Sequence, residues 1–552
     1  MRHNHFFSLL IFFAVTATMF AQSWQTYPYT PPNCKISFPI DDGKHTSSST
    51  STEWWYLNLH IIGSAPNYKV YDVMLCYFSK PATMRIFNIA TPNDGTFHTD
   101  VNITQFVFSQ QTGKWDFTYT IPPFISDYSK WTYPTDGKTF SYNSRAKSII
   151  YNDELNVNVI SNRAPLIVGE DGFIAIGEQG DSSYYYSYSN MKVTGTIKFA
   201  GVVDTISSGI AWIDRQYGPF TVGINPDNYY EWFSLQLDKP GTTPGIPQTP
   251  SEFNIWQIFS DTNSIPSTPS SRLVSAMYDD DSQDTCSTFI FERTGYWHDQ
   301  VNNKYYSSGW RFINPLRGIN VEMTPLILNQ LTNVVLFKFW EGGTSLKGTI
   351  GGKPVSGNGF AELVAGRGTN IFTPSVPTSL QATAFQDHYS LSWQASTAGS
   401  FPLGGYRVYR SATNEGYWEY IGTTTNTYYD DFSAPASSGY YYTVSSFDNQ
   451  SAKSASKHAN AVWVNSFTTS LSEGSIVLIP NPTEGVTTVY IPSYSKENTT
   501  TLELFSANGK RLNTISITSS ATQLDLSTFS EGVYIVKIID NNGVSVNRII
   551  KE

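Results

Sequence analysis

The residues best suited to chemistry lie in a short run, Gly209 to Gly218, that reads as a β-strand ending in a glycine turn. Successive side chains of a strand point to opposite faces, so Trp212 and Asp214 share one face while Arg215 lies on the other. Few other charges accompany Asp214 on its face. A carboxyl group beside an indole in such surroundings is either a structural feature that ends a strand or the proton donor of a site.

A second run, residues 53–60, alternates in the same way and reads Glu-Trp-Trp-Tyr-Leu-Asn-Leu-His. Trp54, Tyr56 and His60 fall on one face of this strand. They are candidates for lining a ligand-binding cavity, although tryptophans in strands more often belong to a core and a histidine is more often a satisfied surface residue.

Glu53 falls on the opposite face of that strand, which is otherwise apolar. It either lines the cavity or braces one end of a barrel by accepting backbone hydrogen bonds. Residues 231–238 repeat the pattern of residues 53–60, with Glu231 in the place of Glu53, and no acid site is expected there. The repeat favours bracing, and it also predicts two similar β units in tandem.

The composition points to an all-β protein of several domains. The chain has 552 residues, of which 14% are charged and 15% aromatic. Short strand-like runs recur between Asp-Gly and Asn-Asp-Gly turns, which is typical of barrels and sandwiches. The net charge of −10 and the lack of a dense Lys/Arg stripe argue against a nucleic-acid partner.

The N-terminus predicts export. Residues 1–21 combine a basic start with a short apolar core and read as a secretory signal peptide. No other apolar run is long enough to span a bilayer, so the mature chain is expected to have no transmembrane segment. Cys34, Cys76 and Cys286 have neither redox nor zinc spacing. A Cys34–Cys76 disulfide is possible in an exported protein, but buried free thiols are the simpler interpretation.

Six motifs together resemble the AttH/CrtC family, which has tandem lipocalin-like domains and includes carotenoid 1,2-hydratases and proteins described as secreted hydrolases. In chain order these motifs are residues 53–56, 186–187, 211–215, 230–238, 340–342 and 359–363. The resemblance implies a first lipocalin-like barrel over residues 40–221 and a second over residues 222–368.

Two further regions resemble other modules. Residues 374–466 carry a Trp followed by a Tyr-x-Val strand and resemble a fibronectin type III β-sandwich. Residues 474–552 resemble the C-terminal sorting domain of the type IX (Por) secretion system, a small β-sandwich. This second resemblance implies handling by the type IX machinery and a secreted or cell-surface location.

The resemblance also implies a chemistry for Asp214. In the hydratases of the family, an aspartate that matches Asp214 is the proposed acid. A carboxyl group kept neutral by an apolar pocket can protonate an alkene. The aromatic faces of Trp212, Tyr186 and Tyr188 would stabilise the resulting cation, and a tyrosine hydroxyl would position the water that adds to it.

This chain departs from the hydratases at one point. They carry a histidine and a tryptophan where this chain has Tyr186 and Tyr188, and no histidine lies between His98 and His298. If the reaction needs a histidine, His60 or His98 of the first barrel must supply it.

Three functions follow as expectations. The first is a secreted hydratase or related hydrolase that acts on an apolar, isoprenoid- or lipid-like small molecule through Asp214. The second is a non-catalytic secreted carrier of such a ligand, and the third is a surface interaction protein that works through its fibronectin-like module. Serine-hydrolase, zinc-protease and phosphate-loop motifs are absent, so no cofactor and no metal are expected.

Overall fold

The computed structural model describes residues 25–27, 33–38, 40–103, 107–108, 116–121, 125–132, 140–161, 163–176, 181–220, 229–238, 250–259, 264–265, 271–334, 338–364, 366–368, 370–385, 388–434, 439–465, 476–491, 494–497, 499–507, 509–541 and 543–551. The signal peptide expected at residues 1–21 lies outside these ranges. Strands make up 64% of the structure and helices 2%, so the prediction of an all-β chain is confirmed.

The first large sheet contains 13 of the described strands and curls into a half-barrel. Its strands are β2 (Thr52–Gly63), β3 (Val70–Lys80), β4 (Met84–Thr91), β5 (Thr96–Ile103), β6 (Val107–Phe108), β7 (Asp116–Ile121), β8 (Ile125–Thr132), β9 (Phe140–Ser148), β10 (Asp153–Ser161), β11 (Leu166–Ile167), β12 (Phe173–Ile176), β13 (Asp181–Phe199) and β14 (Val202–Gly218). They run in the order β5-β4-β3-β2-β14-β13-β10-β9-β8-β7-β6, with β11 and β12 also paired to β13. A short 3₁₀ turn, Ile40–Asp42, precedes this sheet.

The second large sheet contains 12 of the described strands. Those from its own part of the chain are β15 (Tyr229–Leu237), β16 (Glu252–Phe259), β17 (Arg272–Met277), β18 (Gln283–Cys286), β19 (Ile290–Arg293), β22 (Trp310–Asn314), β23 (Ile319–Pro325), β24 (Leu331–Asn333), β25 (Lys338–Ile350) and β26 (Lys353–Leu363). A hairpin of β20 (Tyr296–Asp299) and β21 (Lys304–Ser307) and a 3₁₀ turn, Pro315–Arg317, lie between them. The N-terminal strand β1 (Gln25–Tyr27) pairs with β18 and so joins the second sheet rather than the first.

The third unit packs as a sandwich of two small sheets. Its strands are β27 (Thr378–Ala384), β28 (Tyr389–Gln394), β29 (Leu403–Ser411), β30 (Glu419–Thr424), β31 (Tyr428–Asp431), β32 (Tyr440–Asp448), β33 (Lys453–Ser454) and β34 (Val462–Val464). Strand β33 leaves this unit and pairs in parallel with β19, so it extends the second large sheet. A buried ion network of Glu292 with Arg311 and Arg407, at 3.1 and 2.7 Å, reinforces this junction.

The C-terminal unit also contains two small sheets and has a hydrophobic core built from its own residues. Its strands are β35 (Val477–Ile479), β36 (Val486–Tyr490), β37 (Thr500–Ser506), β38 (Arg511–Ile517), β39 (Ala521–Asp525), β40 (Gly532–Asp540) and β41 (Gly543–Lys551).

The central strands of the large sheets are buried on both faces. On β2, Trp55, Leu57 and Leu59 join the core enclosed by the first sheet, whereas Trp54 and Tyr56 join a different core. That second core also contains residues of the second sheet and forms an apolar layer between the two sheets; we call it the inter-sheet layer. All residues of β2 except Ile62 are buried, although polar residues such as Glu53, Asn58 and His60 interrupt its apolar run.

All three cysteines are free thiols. Burial raises the pKa of the Cys76 thiol, which lies in the inter-sheet layer. Among the described residues, no helix is long and apolar enough to cross a membrane.

Candidate active site between the two sheets

Strand β14 runs between β2 and β13 and places Asp214 in the inter-sheet layer. Asp214 lies directly opposite Tyr56 of β2 and Ser187 of β13. Trp212 belongs to the inter-sheet layer, whereas Ala211 and Ile213 belong to the core enclosed by the first sheet. The alternation expected from the sequence therefore holds, but Asp214 faces the second sheet rather than the interior of its own.

Three donors surround the Asp214 carboxylate. Trp212 Nε1 and Ser187 Oγ donate to Oδ1 at 2.6 and 2.5 Å, and the Tyr185 hydroxyl donates to Oδ2 at 2.6 Å. Asn254 of the second sheet donates to Tyr185 Oη at 2.9 Å and to Ser187 Oγ at 3.2 Å. Both sheets thus fix the position of this carboxyl group.

Asp214 has lost most of its contact with water, with 4% of its surface exposed. Burial raises its pKa to about 7, although the hydrogen bonds from Ser187, Tyr185 and Trp212 act in the opposite direction. No cation is paired with Asp214 in the described part of the chain. A substantial fraction of Asp214 is therefore protonated at neutral pH and can act as an acid.

The structure does not bring Tyr186 and Tyr188 to Asp214. Both side chains belong to the core enclosed by the first sheet, because they lie opposite Arg215 and Ile213 in the register. Their hydroxyls donate to Asp42 Oδ1, Tyr188 at 3.3 Å. The tyrosine that reaches Asp214 is Tyr185.

Glu53 lies at the end of the first sheet, beside Arg215 and His45. Arg215 Nη2 donates to Glu53 Oε1 at 2.6 Å, and His45 Nδ1 lies 2.9 Å from the same oxygen. Although burial opposes it, the charge of Arg215 lowers the pKa of Glu53 to about 2. In the second unit Arg293 Nε pairs with Glu231 at 2.9 Å. The two repeats share a buried acid–arginine pair.

Trp54 and Tyr56 line a small cavity in the inter-sheet layer. Its volume is about 20 Å³, which is room for one or two water molecules. Its walls are Trp54, Tyr56, Met74, Cys76, Phe78, Ile86, Tyr230, Phe339, Glu341 and Glu362. The apolar side chains on the other face of the same strand, Trp55, Leu57 and Leu59, belong instead to the core enclosed by the first sheet.

His60 lies in the same layer but not in the cavity wall. Its Nδ1 is hydrogen-bonded to Asp72, and its ring lies 5.5 Å from that of Phe360 on the second sheet. His98 sits elsewhere, bonded to Asp153 at 2.7 Å and stacked between Tyr151 and Phe199.

Two acids of the cavity wall, Glu341 and Glu362, were not among the site residues expected from the sequence. They are directly paired across strands β25 and β26. The Tyr56 hydroxyl donates to Glu341 Oε1 at 2.7 Å, and the Tyr230 hydroxyl donates to Glu362 Oε1 at 2.6 Å. The sequence carried a signal for this pair: the two glutamates are equidistant from the Gly351-Gly352 turn, and a two-residue hairpin turn sets that register.

A bound metal finds no ready site in the described residues, where no three His, Cys, Asp or Glu side chains cluster to hold an ion. The inter-sheet layer instead contains three carboxyl groups, Asp214, Glu341 and Glu362, that pair with no cation among the described residues.

Comparison with known families gives two matches. Residues 29–367 match the AttH-like family, and residues 477–552 match the secretion system C-terminal sorting domain. The second match indicates export by the type IX system to the cell surface or beyond, as the sequence predicted.

Several known structures and sequences are similar to parts of the chain. A solved AttH-type structure from Nitrosomonas europaea is 22% identical and covers 61% of this chain and 98% of its own, with a TM-score of 0.46. Kievitone hydratase from Nectria haematococca is 17% identical over the same shares, with a TM-score of 0.45. A fibronectin-like protein from Clostridium thermocellum is 26% identical, with a TM-score of 0.15, and covers 17% of this chain and 92% of its own.

The chain spans about a tenth of the length of the curated relatives that it matches. Exoglucanase B of Cellulomonas fimi is 35% identical over 128 residues, which is 22% of this chain and 11% of that protein.

Proposed function

From the premise that this chain belongs to the AttH-like family, we propose that it is an exported hydratase-like enzyme that protonates an apolar alkene through Asp214. The substrate class is an isoprenoid- or lipid-like small molecule. The observation that carries the proposal is the environment of Asp214: a buried carboxyl group with a pKa of about 7, held by three donors and facing an aromatic layer.

The proton balance of the reaction is simple. Neutral Asp214 gives its proton to one carbon of a C=C bond, which leaves a carboxylate and a carbocation at the other carbon. Water adds to that cation and loses a proton, and a proton returns to Asp214 to complete the cycle. The three donors stabilise the carboxylate that forms.

The aromatic residues of the layer suit the cationic stage. Trp212 lies beside Asp214, and Tyr185 contacts Trp256 edge to face with ring centroids 6.1 Å apart. The faces of such rings carry negative potential and attract a cation. In this proposal Trp212 stabilises the carbocation, as expected from the sequence. Tyr185, rather than Tyr186 and Tyr188, is the tyrosine that assists it.

Substrate entry requires the layer to open. Pockets for small organic ligands enclose about 300–1,000 Å³, far more than the present cavity. Met74, Phe78 and Phe339 line that cavity, and their side chains must move to admit a hydrocarbon chain. Trp54 and Tyr56 would then contact the ligand, and His60 would lie further along the same face.

The test is hydration of geraniol, squalene and oleic acid by the full mature chain in ¹⁸O-labelled water, followed by mass spectrometry. We expect wild type to incorporate one labelled oxygen into at least one of these probes and Asp214→Asn to lose about 10²- to 10⁴-fold in rate. Asp42→Asn is the matched control, because Asp42 is equally buried with a pKa of about 7 but faces the first core. Equal rates for wild type and Asp214→Asn would refute the role of Asp214.

Carriage of an apolar ligand without turnover is the second candidate, favoured by the apolar wall of the cavity. It predicts that the same unmodified molecule co-purifies with wild type and Asp214→Asn. Mass spectrometry of organic extracts from both proteins separates the two functions.

A further inference from the structure

The Glu341–Glu362 pair is a second acid centre of the inter-sheet layer. Protonation of the substrate by Asp214 assigns no role to this pair. The two glutamates face each other across neighbouring strands, and each accepts one tyrosine hydroxyl. No arginine, lysine or histidine is bonded to either of them in the described part of the chain. Two carboxylates without a counter-ion are costly to bury unless they share a proton.

Glu341 carries a fully buried carboxylate oxygen that no described protein group satisfies. Glu341 Oε2 is buried and has no hydrogen-bond partner among the described residues, whereas Oε1 accepts from Tyr56. Glu341 is 1% exposed and lines the cavity that has room for one or two waters. A buried carboxylate oxygen beside such a cavity is a binding position for a water or a substrate hydroxyl.

The charge state suits a proton acceptor. Burial, with the neighbouring Glu362 carboxyl, raises the pKa of Glu341 well above its ordinary range. Burial also raises the pKa of Glu362 to about 7, and the charge of Asp214 adds to this. The pair therefore holds one proton near neutral pH and has one carboxylate available.

Residues shared with the Asp214 site connect the two centres. Tyr56 lies opposite Asp214 in the β2–β14 register, and its hydroxyl donates to Glu341. Tyr230, which donates to Glu362, stacks on Trp256 with ring centroids 4.6 Å apart, and Trp256 in turn contacts Tyr185. Both acid centres thus contact aromatic residues of the inter-sheet layer.

We propose that the Glu341–Glu362 pair binds the water that is added to the substrate, with Glu341 Oε2 as its binding position, and that the pair accepts its proton. This inference rests on the proposed hydratase function. As the water oxygen bonds to the carbocation, one O–H bond breaks and its proton passes to the one carboxylate that the pair holds. Asp214 has lost one proton and the pair has gained one, so the return of a proton from the pair to Asp214 restores both centres.

The decisive experiment separates protonation from water addition. The probe that wild type hydrates is incubated in D₂O, and in ¹⁸O-labelled water, with wild type, Glu341→Gln, Glu362→Gln, Asp214→Asn and the control Asp42→Asn. We expect Glu341→Gln to lose about 10²- to 10³-fold in ¹⁸O incorporation while it still exchanges deuterium into recovered alkene, because Asp214 still protonates and the cation then loses a proton. Asp214→Asn should lose both signals.

A purely structural role for Glu341 predicts that deuterium exchange and hydration fall together, or that neither falls. Either result overturns the assignment while leaving that of Asp214 intact. Glu362→Gln removes the second carboxylate and keeps Glu341, so it should weaken hydration less than Glu341→Gln does.

Infrared spectroscopy tests the pair without a substrate and so remains decisive if no probe is turned over. Asp42, Asp214 and the pair all contribute to the carboxylic-acid C=O absorption of wild type at about pH 7. The component from the pair should persist in Asp214→Asn and disappear in the double variant Glu341→Gln/Glu362→Gln, which keeps the absorption of Asp42 and Asp214. An unchanged band in the double variant would refute the proton-sharing pair whatever the reaction is.

Discussion

The two faces of strand β14 carry neighbouring buried charged residues in opposite circumstances. On one face Arg215 meets Glu53 at 2.6 Å and also donates to the carbonyl oxygens of Asp41 and Gly43. On the other face Asp214 has three neutral donors and no counter-ion in the described structure. A neutralised pair holds the end of the sheet together, whereas an uncompensated acid keeps its proton and is available for chemistry.

The largest effect on stability should come from removing Arg215, the cation that neutralises Glu53. Arg215→Met leaves Glu53 buried without its main partner, and we expect a loss of about 3–5 kcal/mol in the free energy of unfolding, measured by urea denaturation at neutral pH. Asp214→Asn, one position away, should leave stability nearly unchanged at about pH 5, where wild-type Asp214 is already neutral. A loss below about 1 kcal/mol for Arg215→Met would refute the brace.

The next effect is the dependence of stability on pH. Folded Asp214 keeps its proton up to about pH 7, whereas the unfolded chain releases it near its ordinary value. The folded state therefore binds more protons between these limits, and stability falls as pH rises through that window.

Asp214→Asn should flatten this fall by up to about 4 kcal/mol, and Asp42→Asn should flatten it similarly because its pKa is also raised to about 7. Urea denaturation at a series of pH values measures both variants. An unchanged pH profile in Asp214→Asn would mean that Asp214 is ionised in the folded protein.

The smallest expected effect is on the activity–pH profile, and it compares two neighbouring residues of β13, Ser187 and Tyr186. Ser187→Ala removes a donor to Asp214, so the pKa of Asp214 should rise by about one unit, and the alkaline limit of hydration should move to higher pH. Tyr186→Phe removes a donor to Asp42 and should raise the pKa of that acid without moving the activity profile. Rate–pH profiles of the two variants provide the measurement, and equal profiles would contradict the assignment of the two faces.

Strand alternation was enough to place Trp212 and Asp214 on one face, because the period of two is a property of the backbone. Alternation does not say which tyrosine of the run Tyr184-Tyr185-Tyr186 meets Asp214. That depends on the pairing of β13 with β14, where Asp214 lies opposite Ser187 and a β-bulge follows Tyr188. Without the register, Tyr186 and Tyr188 were as plausible as Tyr185.

The position of the site was beyond the sequence for a different reason. A single barrel predicts an enclosed cavity, but here two curled sheets pack against each other, and Asp214, Glu341 and Glu362 are bonded to aromatic residues of the layer between them. Glu341 and Glu362 each look like isolated acids on apolar strands. Only the hairpin register through Gly351-Gly352 reveals that they face each other.

The C-terminal unit has a consequence for the life of the protein after export. In the part of the chain that the structure describes, its hydrophobic core is formed by residues between Ile476 and Ile549. A cut between residues 465 and 476 would therefore remove none of the described core residues of the other units. Proteolytic removal of the sorting domain would therefore leave the cores of the remaining units intact.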